Sequence, residues 1–377
     1  MKKGKIKVRN LFAPALILVL TVLWGFFVGL YGMGRLWDNA PGKWGFVSAY
    51  CLTILLLALG FYIQIILHEG GHLLFGLLTG YRFSSFRIGK TMLMKNSSGW
   101  HLKKLFLAGT GGQCLLAPPE YKDGDFPVTL YNLGGVLFNL IVSAVFLLLF
   151  LLRQEDSWRS ALCFDICSAG VLVALTNGIP LNTPTIVNDG YNVMMLRKSI
   201  DARRAMWVQL EMSRMQTEGL RLKEMPEEWF RLPEEADMHN VLISSVGVFA
   251  ENRAMDAGDR AGAAAQIEYL LGPDCTVPGI YEHLLRLDRL SLEILEKGSG
   301  ADISLLKDRK TAAFLKSMKN FPSVIRTQYL AARWVERDEK KQSALLKRFE
   351  ACAARYPSPG DIASERELME ALPEAGR

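Results

Sequence analysis

The chain has 377 residues, half of them hydrophobic, and a formal net charge of +6 at pH 7. Residues 1–200 carry 18 Lys and Arg against 9 Asp and Glu, a net of +9, whereas the remainder carries 26 against 29, a net of −3. Every long apolar run falls before about residue 185. Because basic residues beside apolar runs face lipid headgroups, this excess does not indicate a nucleic-acid-binding protein. We expect a mostly α-helical polytopic membrane half followed by a soluble half.

Four apolar segments predict membrane spans at about residues 11–31, 45–80, 128–152 and 157–181. A helix needs about 20 mostly apolar residues to cross a bilayer. The first segment follows the basic opening MKKGKIKVR and is longer than the apolar region of a cleaved signal peptide, so we expect a retained helix. Since basic residues concentrate on the cytosolic side, we expect a multi-pass cell-membrane protein with a cytosolic N-terminus and a cytosolic C-terminal domain.

Two further segments differ from the spans. Residues 82–118 alternate in polarity, and KNSSG between two β-prone runs predicts a small cytosolic β-hairpin insert. Residues 201–377 read as amphipathic helices, which predicts a soluble all-α domain able to bind a protein partner. A tetratricopeptide-like pairing of these helices stays open, since no clean repeat period is visible. The predicted domains are therefore 1–200 and 201–377.

The segment HEGGH lies inside the second predicted span. Positions i and i+4 share one face of a helix, so His68 and His72 can bind one metal ion through their ring nitrogens. Glu69 lies beside that face, where it can accept a proton from a water that Zn²⁺ has acidified. Three ionisable groups in an apolar helix are costly unless they are compensated, and a zinc site supplies that compensation. The pattern predicts a zinc metallopeptidase.

A catalytic zinc site needs a third protein ligand. Asp189 lies at the inner end of the fourth predicted span, at the depth where His68 and His72 are expected, whereas Asp165 lies towards the outer end of that span. Pro180 and Pro184 should break the helix before Asp189, and irregular backbone in a membrane is tolerated inside protein or beside a water-filled cavity. We therefore predict Asp189 as the third ligand.

Three motifs, in this order, resemble those of the site-2 protease family of intramembrane zinc metalloproteases. HEGGH is the first, GGVLFN at 134–139 is similar to the family's G-x-x-x-N segment, and NGIPLNTPTIVNDG at 177–190 is similar to its Asn-x-x-Pro…Asp-Gly segment. The resemblance covers about residues 45–195. It implies a protease that cuts membrane-embedded proteins or peptides near the cytosolic face, with β-hairpins that pair with an unwound substrate strand.

Residue by residue, the resemblance implies that His68, His72 and Asp189 hold Zn²⁺ and that Glu69 is the general base. It implies that Asn139 and Asn177 bind the substrate backbone or the developing oxyanion.

Several alternatives remain open at this stage. The spacing from Asn177 to Asp189 is longer than usual in the family, so Asn182 could replace Asn177. Asn139 could instead join helices by a hydrogen bond, and Asn177 could cap the broken helix. The function could be narrower, namely maturation of small secreted or signalling peptide precursors. The chain could also be a non-catalytic membrane scaffold that acts through its C-terminal helices.

Overall fold

The structure is a computed structural model that describes residues 12–37, 45–106, 110–152, 157–181, 187–233 and 235–374. These residues group into two compact units. The first unit contains the described residues up to Gly80, together with 127–181 and 187–198, and the second contains Tyr81–Phe126 and the described residues from Ser199 onward. The insert therefore groups with the C-terminal helices, and the predicted domain boundary at residue 200 remains a prediction.

The described residues of the first unit form helices and short connections. Three of its helices are long and apolar enough to cross a membrane, and they match the second, third and fourth predicted spans. In the first helix the apolar stretch Leu18–Tyr31 is shorter, so the first predicted span remains a prediction. The orientation also remains a prediction, because the basic opening segment lies outside the described residues. The helices are α1 (Phe12–Trp37), α2 (Gly45–Leu78), α3 (Thr129–Leu152), α4 (Trp158–Gly178) and α5 (Asp189–Lys198).

The ends of α4 follow from local sequence. The Ser157 side chain accepts a hydrogen bond from the Ser160 backbone N–H and caps the first turn. The helix ends at Gly178, and Ile179 is already extended (φ −72°, ψ 120°), as expected for the residue before Pro180. The predicted break of the fourth span before Asp189 is therefore present, and Asp189 begins a new helix.

The second unit contains a four-stranded antiparallel sheet in the order β3-β2-β1-β4. Asn96 pairs with Gly99 across the KNSSG loop, so the predicted hairpin is confirmed within a larger sheet. The loop is fixed by the end of the next helix of the unit, since the Glu218 carboxylate accepts from the Ser97 N–H at 2.9 Å. The strands are β1 (Arg82–Ile88), β2 (Thr91–Asn96), β3 (Gly99–Lys104) and β4 (Gly112–Ala117).

The described residues from Ser199 onward form helices and connecting turns without a strand, as predicted for an all-α segment. The core of these helices is aliphatic and aromatic, with Ile294, Ile325 and Phe349 fully buried. The tetratricopeptide-like arrangement remains a prediction. The helices are α6 (Ile200–Thr217), α7 (Val241–Ala257), α8 (Arg260–Leu270), α9 (Gly279–Lys297), α10 (Arg309–Ser317), α11 (Pro322–Leu330), α12 (Glu339–Ala353) and α13 (Pro359–Glu370).

A buried ionic cluster joins four of these helices. Arg326 of α11 pairs with Asp288 of α9 and, at 3.0 Å, with Glu365 of α13. Glu251 of α7 is fully buried, and neither of its carboxyl oxygens has a hydrogen-bond partner among the described residues. Burial, together with the neighbouring Asp288, raises the pKa of Glu251 well above its ordinary value, and burial raises the pKa of Glu365 to about 7.

Candidate metal centre

The histidines of HEGGH lie one turn apart on α2 and point to the same side. His68 is buried and His72 is nearly so, and their Nε2 atoms are 3.2 Å apart. Glu69 is also buried, at 9% exposure. This is the arrangement expected from i, i+4 spacing on a helix.

Glycines bring α3 against this face of α2. A Cβ atom on Gly71 would lie 2.3 Å from the carbonyl oxygen of Gly134, and one on Gly134 would lie 2.6 Å from the carbonyl oxygen of Gly71. The two helices therefore touch backbone to backbone, as small residues permit in membrane helices. A Cβ on Gly135 would lie 2.5 Å from the His68 ring, so this glycine leaves the space that the imidazole fills.

The third residue, Asp189, enters from the first turn of α5. Asn188 precedes it and ties the start of α5 to the end of α4. Its Oδ1 accepts from the backbone N–H groups of Tyr191 and Leu181, and its Nδ2 donates to the carbonyl oxygens of Thr176 and Ile179. Four hydrogen bonds on one buried side chain fix the backbone immediately before Asp189.

Gly190 permits close packing at the same junction. Its φ is not positive, so glycine is not needed here for a left-handed turn. A Cβ at this position would lie 2.1 Å from the carbonyl oxygen of Gly178, at the end of α4. The Asp-Gly pair therefore combines a polar side chain with a close helix contact.

Three ligand atoms converge at this point. The Asp189 Oδ2 lies 3.0 Å from the His68 Nε2 and 3.5 Å from the His72 Nε2, and each residue offers an atom within 4.8 Å of the others. Two ligands of a tetrahedral zinc at about 2.0–2.1 Å lie roughly 3.3 Å apart, so these separations fit a single ion.

The ring protons also fit a cation. The His72 Nδ1 lies 2.8 Å from the Tyr131 carbonyl oxygen, and the His68 Nδ1 lies 2.7 Å from the Asn139 Oδ1. A neutral ring that donates from Nδ1 has a lone pair on Nε2. Both Nε2 atoms face the Asp189 Oδ2, for which no other hydrogen-bond partner is found among the described residues. With neutral rings, three electron-rich atoms repel one another in a partly buried site, so the arrangement favours a bound cation, and two nitrogens with one carboxylate oxygen form a donor set that zinc uses.

The other predicted residues lie as follows. Asn139 is fully buried in α3, and Asn177 donates to the Val173 carbonyl oxygen of its own helix at 2.9 Å. Asp165 is fully buried in α4 and is not part of the three-residue group. Asn182 lies outside the described residues. The substrate contacts of Asn139 and Asn177 remain predictions.

Two residues that sequence reasoning missed support the centre. Asn188 stands before an acid at the start of a helix, which is an N-cap signal that the sequence does contain. Gln64 is fully buried one turn before His68 and contacts Asn139. Its position on the same helix face as His68 and His72 was a readable signal. The contact with the Tyr131 carbonyl could not be read from the sequence, because every residue type has a backbone carbonyl.

Comparisons with known proteins bear on this centre. The model of peptidase family M50 matches residues 56–328, which is more than half of the chain and includes all three members of the cluster. No match was found among curated proteins or among solved structures.

Proposed function

Since the chain belongs to peptidase family M50, we propose that it hydrolyses peptide bonds in or beside membrane-embedded helices, with Glu69 as the general base. The family is one of membrane metalloproteases and is the one that the three motifs resemble, so that resemblance is confirmed. The observation that best supports the finer proposal is the convergence of His68, His72 and Asp189 between apolar helices.

The proposed chemistry assigns each group one task. Zn²⁺ held by His68, His72 and Asp189 would supply the Lewis acidity that makes water a nucleophile near neutral pH. Glu69 accepts the proton that this water loses and later delivers it to the amine nitrogen as the peptide C–N bond breaks. Tyr131 and Asn139 hold the two rings in place. The surrounding apolar helices exclude bulk water, which strengthens these electrostatic interactions.

The substrate follows from the setting of the site. His68, Glu69 and His72 belong to α2, which is long and apolar enough to cross a bilayer, so the peptide that reaches them is a membrane-embedded one. A helical peptide bond is shielded until its backbone is extended, and an exposed strand edge can hold an extended segment. Strand β3 is an edge of the sheet and exposes Trp100 and Leu102. Precursor maturation and the scaffold role remain predictions.

Substitution of the proposed base is the direct experiment. Glu69→Gln keeps the size of the side chain and removes its basicity, so cleavage of a membrane-helix substrate in micelles should fall by about 10²–10⁴-fold while zinc content is retained. Asp165→Asn is the matched control, because it neutralises the other buried acid of these helices. Cleavage at the wild-type rate by Glu69→Gln would overturn the proposal, and purified protein without zinc would favour the scaffold.

A further inference from the structure

A network of hydrogen bonds between buried amide groups connects His68 on α2 with α3 and α4. The Asn139 Oδ1 lies 2.7 Å from the His68 Nδ1. The Asn139 Nδ2 lies 2.6 Å from the Gln64 Oε1 and 2.9 Å from the Gln64 backbone oxygen. The Gln64 Nε2 lies 2.8 Å from the Ile166 backbone oxygen on α4. Both amide side chains are fully buried, so every contact in the network is made without solvent.

Backbone carbonyls, which only accept hydrogen bonds, determine which atoms of this network donate and which accept. The Ile166 oxygen requires the Gln64 Nε2 as donor, which leaves the Gln64 Oε1 as acceptor. The Asn139 Nδ2 must then face both Gln64 oxygens, since a flipped amide would place oxygen against oxygen at 2.6 and 2.9 Å. The Asn139 Oδ1 is therefore the atom that faces His68, and a neutral His68 must donate from Nδ1.

We propose that Asn139 and Gln64 are positioning residues that hold His68 as the Nδ1–H tautomer, so that its Nε2 lone pair is available to the metal. The inference rests on the proposed function and deepens it. In this role Asn139 acts through His68 and does not bind substrate. The Tyr131 carbonyl does the same for His72, because it also only accepts. The tautomer of each ring is thus fixed by a hydrogen bond on the side away from the metal, a device that raises affinity and orders the ring.

A simpler role for the same residues is helix association. The amide network connects α2, α3 and α4, and interhelical hydrogen bonds of this kind stabilise membrane bundles. The two roles differ in what they predict for His68. A purely structural link affects stability and leaves the zinc affinity of folded protein and the ring tautomer unchanged.

The first experiment measures zinc affinity by competition with a chelator, using full-length protein in micelles. Asn139→Leu removes the acceptor in a similar volume, and zinc should bind about 10–100-fold more weakly. Asn139→Asp keeps an oxygen that faces His68, but its second oxygen would face both Gln64 oxygens, so its zinc affinity should lie between those of Asn139→Leu and the wild type. Gln64→Leu should cause a smaller loss than Asn139→Leu, because the Gln64 backbone oxygen still orients Asn139. Ser143→Ala is the matched control: Ser143 is buried on α3 one turn after Asn139, and its hydroxyl has no hydrogen-bond partner among the described residues.

The second measurement reads the tautomer itself. Two-bond ¹H–¹⁵N correlations on zinc-free ¹⁵N-histidine protein report which ring nitrogen carries the proton when no metal fixes it, and the chain has only five histidines. We expect both site histidines to show Nδ1–H in the wild type and only His72 to show it in Asn139→Leu. Wild-type zinc affinity or an unchanged His68 pattern in folded Asn139→Leu would overturn the inference. Neither measurement depends on turnover. An active Glu69→Gln variant would therefore refute the proposed function and leave this inference standing.

Discussion

The two adjacent glycines of HEGGH should respond differently to the same substitution, Gly70 with no effect and Gly71 with loss of activity. Gly70→Ala places a Cβ whose nearest atom is the Phe138 ring at 4.0 Å, which is an ordinary contact. Gly71→Ala places a Cβ 2.3 Å from the Gly134 carbonyl oxygen and 2.7 Å from the Phe138 Cβ. Ordinary carbon contacts are about 3.5 Å, so α2 and α3 would have to separate by roughly 1 Å.

That separation would disturb both histidines. The bonds from His72 to Tyr131 and from His68 to Asn139 are 2.8 and 2.7 Å long and connect the same two helices. An added 1 Å takes each beyond hydrogen-bond range, and a displacement of this size costs about 100-fold in rate. Overpacking should also destabilise the fold by about 1–3 kcal/mol.

Zinc stoichiometry, cleavage rate and the thermal midpoint in micelles test this reasoning on the two variants. We expect Gly70→Ala to match the wild type in zinc content and rate, and Gly71→Ala to lose at least about 100-fold in rate together with part of its zinc. Equal behaviour of the two variants would refute the argument that backbone contact between α2 and α3 positions the site.

Three further predictions concern other parts of the chain. Asn188→Ala removes the cap of α5 and should cost about 1–2 kcal/mol in thermal unfolding and weaken zinc binding, and unchanged zinc affinity would contradict its role in placing Asp189. A carboxyl whose pKa is raised by folding contributes stability below its unfolded pKa of about 4.5, and this stability is lost as pH rises through its folded pKa. The pKa of Glu365 in the folded protein is about 7, so the loss falls between these two pH values. The pKa of Glu251 is also raised well above its ordinary value, so Glu251→Gln should reduce the fall in thermal midpoint between pH 5 and 8, and identical pH profiles would refute this reasoning. A photo-crosslinker at Leu102 of edge strand β3 should capture substrate, whereas one at its register partner Leu93 on inner strand β2 should not, and equal capture would contradict edge pairing.

Sequence alone could predict which three side chains converge because the relevant distances are local or follow from depth in the membrane. His68 and His72 lie one turn apart in any α-helix. Asp189 follows a span that prolines interrupt, at the membrane depth where the two histidines were expected. The contacts that hold these groups were not readable, since they depend on how helices pack. The apposition of Gly71 and Gly134 requires the register of α2 against α3, which a single sequence does not encode visibly.

The same limit applies to Asn139. Its motif was visible, but the sequence could not tell whether its amide faces substrate, a neighbouring helix or a metal ligand. The structure places its oxygen on the His68 ring, an outcome that also depends on a backbone carbonyl of α4. The sequence therefore identified side chains whose geometry follows from their spacing along the chain. It could not identify the role of a side chain, such as Asn139, whose contacts depend on a third helix.

Zinc K-edge X-ray absorption of the purified protein tests the central claim most directly. The account predicts about one zinc per chain, with two imidazole nitrogens and oxygen ligands at about 2.0–2.1 Å, and loss of the ion in Asp189→Ala. Absence of zinc, a sulfur shell near about 2.3 Å, or an unaltered spectrum in Asp189→Ala would show that His68, His72 and Asp189 do not form the metal centre.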